Sequence, residues 1–173
     1  MHLKSMTLIQ PRLALIVLAV MAGLAGLVLA SSTANVFADD HRNADVSFTK
    51  WVTDSDFPTF PWDMKGIVGA DSGPGTYSGE VLSRVDDGTT TTIHALYHVN
   101  GKRHSFTADL TVTESDATHT ASLSGVVSEG WLIGNHVSGS YVTLSSCDIA
   151  TPGNIFGATC FKGALHVERG SKN

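Results

Sequence analysis

"TTTTIHALYHVNGKRHSFTADLTV", residues 89–112, decides the fold. Two runs rich in Thr, Val, Tyr and Phe, with apolar and polar residues alternating, flank Asn100-Gly101. That dipeptide is the preferred centre of a two-residue type I′ hairpin turn. Such a turn predicts Val99 opposite Lys102, Tyr97 opposite His104, Ala95 opposite Phe106 and Ile93 opposite Ala108. The apolar members make their shared side the core face. The other side carries His94, His98, Arg103, Thr107 and Asp109 and is wet, with Leu96 the exception.

Just upstream, "VDDGT" (85–89) allows two registers. A two-residue loop at Asp87-Gly88 would put Glu80 on the core face. A three-residue loop, Asp86-Asp87-Gly88, puts Val81 opposite Ile93 and Tyr77 opposite Tyr97, with Gly88 left-handed. A one-residue slip reverses every side chain, so the apolar pattern selects the three-residue loop and places Glu80 across from His94 on the outside.

Similar short segments fill the rest of the chain, separated by Gly, Asp, Asn and Pro. The expected strands are 45–52, 64–70, 75–85, 89–99, 102–113, 118–128, 136–146 and 160–168. Eight strands, no helical periodicity and no fixed repeat predict an all-β fold, an antiparallel barrel or sandwich, with a single barrel the favoured form. The stretch 53–63, "TDSDFPTFPWD", reads as an ordered loop. With Trp51 its aromatics, Phe57, Phe60 and Trp62, would pack as a plug over one barrel end in preference to a rim for binding.

The first 38 residues differ in kind. Lys4 and Arg12 precede the uncharged apolar run Leu13–Ala30, and Val36 and Ala38 stand three and one residues before a suitable cut. This predicts a secretory signal over 1–38, or an uncleaved membrane anchor at 13–30 with the domain outside. The remainder, 39–173, is expected to form one domain: an N-terminal strand and aromatic loop over 39–63, then a barrel body over 64–173. Without Lys4 and Arg12, nine Lys and Arg face sixteen Asp and Glu, a net charge of −7. The acids are scattered and no basic stripe exists, which argues against nucleic-acid binding. The only cysteines, Cys147 and Cys160, are an even count in an exported chain and are expected to pair. They lack the further ligands of a structural metal site.

Three constellations could carry chemistry. Asp71-Ser72-Gly73-Pro74 echoes the nucleophile sequence of trypsin-like proteases. The only histidine before it in the exported part is His41, beside the predicted cut, and the stretch lacks a Gly-x-Ser-x-Gly elbow. Ser72 therefore reads as part of a turn. His94 and His98 lie about 13 Å apart on one strand and cannot share a metal ion, and Glu80–His94 reads as an exposed cross-strand pair. Tyr97 with His104, and Tyr77 beside them, sit where a core face meets a turn. They are the candidate ligand-binding residues, with a tyrosine hydroxyl bonded to an imidazole as the plainer alternative.

The segment "LSGVVSEGWLIGNHVSGSYVTLSS" (123–146) carries Ser124-Gly125, Gly130, Gly134, Gly139 and Tyr141 at regular spacing, and "GTYSGEV" (75–81) and "CFKGALHV" (160–167) suit the early and final strands. In this cadence it resembles the allene oxide cyclase and dirigent-like group of small barrels. The resemblance implies an eight-stranded antiparallel barrel with an apolar cavity over 64–168. Members of that group include a cyclase of an unsaturated fatty-acid epoxide and proteins that guide radical coupling. Their catalytic residues do not map one by one onto this chain, and the cysteine loop is a departure, so fold transfers better than activity.

Two functions are expected on these grounds. One is a non-catalytic exported barrel binding a small apolar ligand or a surface partner. The other is a cofactor-free isomerase or cyclase acting in the lumen. Polar groups converging on a bound apolar molecule would separate them. The sequence offers Tyr97 and His104 for that role, which favours binding, and it implies neither cofactor nor metal.

Overall fold

The computed structural model describes residues 43–168. The predicted signal or anchor, and His41, lie outside the described residues. Eight strands run in chain order: β1 (Ala44–Val52), β2 (Trp62–Val68), β3 (Gly75–Asp86), β4 (Thr90–Gly101), β5 (Ser105–Ser115), β6 (Thr120–Gly130), β7 (His136–Leu144) and β8 (Cys160–Glu168). Each pairs antiparallel with the next, and β1 pairs with β8, so the sheet closes into an up-and-down barrel. Closure removes both open edges, and eight strands leave a lumen that side chains can fill.

Alternation supplies that filling. Val46 and Phe48 on β1, Leu110 on β5, Val137 on β7 and Leu165 on β8 are all buried. Most of the intervening residues face solvent, where His94 meets Asp109 at 2.6 Å and His166 meets Asp45 at 2.7 Å. The disulfide expected from the cysteine count is present, joining Cys147 to Cys160 across the β7–β8 loop.

The register expected for β4 and β5 needs correction. Tyr97 lies opposite Ala108, Val99 opposite Phe106 and Asn100 opposite Ser105. The partners have shifted by four residues, an even number, which preserves the inward or outward side of the paired residues but removes the Tyr97–His104 pairing. The cause is tertiary. A short 3-10 turn, Ala70–Ser72, packs against the hairpin end, where the Ser72 carbonyl accepts the backbone N–H groups of Arg103 (2.9 Å) and His104 (3.2 Å). The hairpin accordingly closes with the Gly101 N–H on the His104 carbonyl at 3.1 Å. Gly101 is not among the left-handed glycines. It is glycine because a Cβ there would stand 2.2 Å from the Ser72 carbonyl oxygen. Ser72 is itself fully buried, with its hydroxyl donating to the Gly69 carbonyl at 2.9 Å.

β3 departs in a second way. Tyr77 lies opposite Val99, Glu80 opposite Leu96 and Val81 opposite Ala95, so the expected Tyr77–Tyr97, Glu80–His94 and Val81–Ile93 pairings are replaced. The register then shifts at Leu82, a β-bulge, after which Arg84 lies opposite Ile93. Gly88 is left-handed as expected, with φ +89°, and the Asp87 carboxylate accepts the N–H groups of Thr89 and Thr90. Those bonds hold its carboxyl below the ordinary range. A bulge inserts one residue and reverses the parity of the strand beyond it, so Arg84 turns from the wet face to the lumen side.

Candidate functional site: a lysine in the barrel lumen

Along β1 the inward positions are Ala44, Val46, Phe48, Lys50 and Val52, and Lys50 is the one charged residue among them. It is 3% exposed. Its ammonium group donates a hydrogen bond to the Tyr97 hydroxyl, from the far side of the lumen. It also lies 4.3 Å from the centre of the Tyr97 ring, 4.5 Å from that of Tyr141 and 5.6 Å from that of Phe161. These contacts partly replace water for a cation. Among the described residues it has no ion pair with a carboxylate. Burial lowers its pKa to about 7, and Glu114 opposes the shift. Burial also raises the pKa of Tyr97, as does the phenol of Tyr141, so Tyr97 stays a neutral hydroxyl.

Lys50 lies in the wall of a cavity of about 200 Å³ within the end of the barrel that carries the 53–61 and 145–159 loops. That space equals about seven waters' share of liquid at ~30 Å³ each, enough for a short aliphatic chain or a single ring. Its sides are apolar, with Val52, Met64, Val81, Ala95 and Val112 among them. Phe57 and Phe156 stand at the mouth in edge-to-face contact, ring centres 5.1 Å apart. The aromatic loop, expected as a plug, instead contributes Phe57 and Trp62 to the cavity lining at this end, with Trp62 packed on Phe57 at 4.4 Å and on Phe60 at 4.8 Å. Trp51 faces outward and donates its indole N–H to the Pro152 carbonyl, tying β1 to the disulfide loop.

Arg84 and Glu114 complete the lining. Arg84 donates to the buried Thr91 hydroxyl at 3.2 Å, and Glu114 accepts from the Thr143 hydroxyl at 3.4 Å. Trp62, 5% exposed and also in the lining, keeps its indole N–H buried without a hydrogen-bond partner among the described residues. Orphaned buried donors are uncommon in folded proteins.

The three residues singled out from sequence part company here. Tyr97 is fully buried and lines the cavity. Tyr77 packs edge-to-face behind it at 5.1 Å and is not part of the lining. His104 sits at the opposite end of the barrel, stacked flat on Trp131 at 3.9 Å. Lys50, Arg84 and Glu114 escaped the sequence reading. The signal for Lys50 was the alternation from Ala44 to Val52, masked by Trp51, an apolar residue of opposite parity that a loop buries instead. Nothing local announces the bulge that turns Arg84 inward.

No family model, curated protein or solved structure matches the chain.

Proposed function

We propose that this is an exported barrel whose lumen binds a small, mostly apolar molecule with one oxygen-bearing end. The observation that carries the reading is the apolar cavity with the Lys50 amine and the Tyr97 hydroxyl together in its wall. Binding sites of this kind set a few converging polar groups in an apolar lining, and orientation comes from those groups. The Cys147–Cys160 bridge supports an oxidising compartment for the domain. The resemblance to the allene oxide cyclase and dirigent-like barrels points the same way but rests on glycine spacing alone.

A second reading is favoured by the same lysine. An amine with a pKa near 7 beside a neutral phenol is a base and an acid in one cavity. Cofactor-free isomerisation or cyclisation in the lumen would use that pair.

The test of binding is saturation-transfer NMR of the full chain with straight-chain alcohols of four to eight carbons, with native mass spectrometry for a co-purified molecule. Saturation transfer to the alkyl protons, together with a raised Tm at saturating alcohol, is the expected result. No transfer and no Tm change across the series would remove the proposal.

A further inference from the structure

We infer that Lys50 captures small aliphatic aldehydes as a covalent imine within the lumen. The inference rests on the binding reading above and deepens it by naming the ligand class. The geometry carries it. A primary amine stands in the wall of an apolar cavity, free of any carboxylate ion pair among the described residues, with a phenol at hydrogen-bond distance. Trp62 adds a buried, unpartnered N–H in the same lining, a donor for which a carbonyl oxygen is the complement. Desolvation in such a pocket is one of the ways proteins activate a lysine as a nucleophile. It leaves a sizeable fraction of this amine unprotonated near neutral pH.

The step balances without an oxidant or reductant. The amine lone pair forms a C–N bond to the aldehyde carbon as the carbonyl π pair moves to oxygen. That oxygen takes one proton, and the nitrogen gives up one, to yield a carbinolamine. The C–O bond then breaks as the oxygen takes a second proton and leaves as water, and the nitrogen lone pair closes the C=N bond. The iminium nitrogen releases its remaining proton, which replaces the one given to the water. Tyr97, on the amine itself, is the nearest group able to hand a proton to the departing oxygen. One aldehyde and one amine give one imine and one water.

A carboxylate ligand would also suit a buried cation, but Glu114 in the same lining disfavours a second negative charge. The cavity volume restricts the aldehyde to a short chain.

The experiment incubates the full chain with hexanal and sodium cyanoborohydride at pH 7, followed by intact mass and peptide mapping. The expected product carries one hexyl group in place of one hydrogen, on Lys50. It should form at least tenfold faster than on the exposed Lys65 or Lys102, whose amines stand in water. Lys50→Arg should lose that adduct while its far-UV CD spectrum stays that of the folded barrel. Lys50→Met, which keeps an unbranched apolar side chain, serves the same purpose if the arginine variant fails to fold. If 1-hexanol binds the wild type but no adduct maps to Lys50, the covalent inference fails and the binding proposal stands. If no straight-chain alcohol binds, both fail together.

Discussion

Lys50 on β1 and Tyr97 on β4 join across the barrel lumen, an amine and a phenol from strands that never pair with one another. Removing the hydroxyl isolates its role. Tyr97→Phe should leave the barrel intact, weaken binding of 1-hexanol, and cost about 1–3 kcal/mol in urea unfolding, because Lys50 loses its hydrogen-bond partner. Unchanged stability and unchanged binding would show that the hydroxyl does nothing there.

Lys50 also gives the fold a pH signature. Its folded pKa of about 7 lies below the unfolded value near 10.5, so between those limits the unfolded chain binds more protons. Stability should therefore rise as pH increases from about 7 to 9.5. Facing groups from four strands share this region: Arg84 (β3), Tyr97 (β4), Glu114 (β5) and Tyr141 (β7). The raised phenol pKa values keep both tyrosines neutral through the window. Lys50→Met should flatten the slope and be the more stable protein at pH 6, by on the order of 1–3 kcal/mol, since it removes a buried charge with no counter-ion. Urea unfolding at four pH values of both proteins makes the comparison.

The two barrel ends should respond independently. His104→Ala removes the stacking on Trp131 and should lower Tm by a few degrees without altering ligand affinity, because the cavity opens at the other end. A loss of affinity greater than threefold would return His104 to the site.

Two glycines separate close approach from backbone conformation. Gly101→Ala drives a Cβ into the Ser72 carbonyl and should cost more than about 2 kcal/mol. Gly88→Ala meets nothing within 4 Å and pays only for its left-handed φ, about 1 kcal/mol. Equal losses in denaturant titrations would contradict that distinction.

Reduction of the Cys147–Cys160 bridge should lower stability by about 3 kcal/mol while leaving the far-UV CD spectrum of the barrel unchanged. Phe156 in the bridged loop lines the mouth, so ligand dissociation should also quicken.

The strands were legible because each alternates over seven residues or more between turn residues, and the inward or outward parity of β4 and β5 survived the slip. What misled was local turn chemistry. Asn100-Gly101 has the composition of a tight turn, yet the 3-10 turn at Ala70–Ser72, distant in sequence, shifts the hairpin partners by four residues. Tyr97 could be recognised as an inward polar group from its own strand. His104 could not be excluded without that distant contact. The buried lysine was readable in principle, since Val46, Phe48 and Val52 share its parity. Trp51 hid it, because a loop fastened by Pro152 covers a residue that the strand alone would leave in water.

The pairing of β1 with β8 sets an order of events during synthesis. Lys50 lies opposite Phe161 in that pairing, so the wall around the amine is finished only when the last strand leaves the ribosome. Until then β1 and the newest strand both present unpaired backbone edges, open to association with other chains. A nascent chain therefore has no complete pocket in which to meet a ligand. Shortening the chain before Cys160 would leave every other strand in place and still yield an open, adhesive sheet.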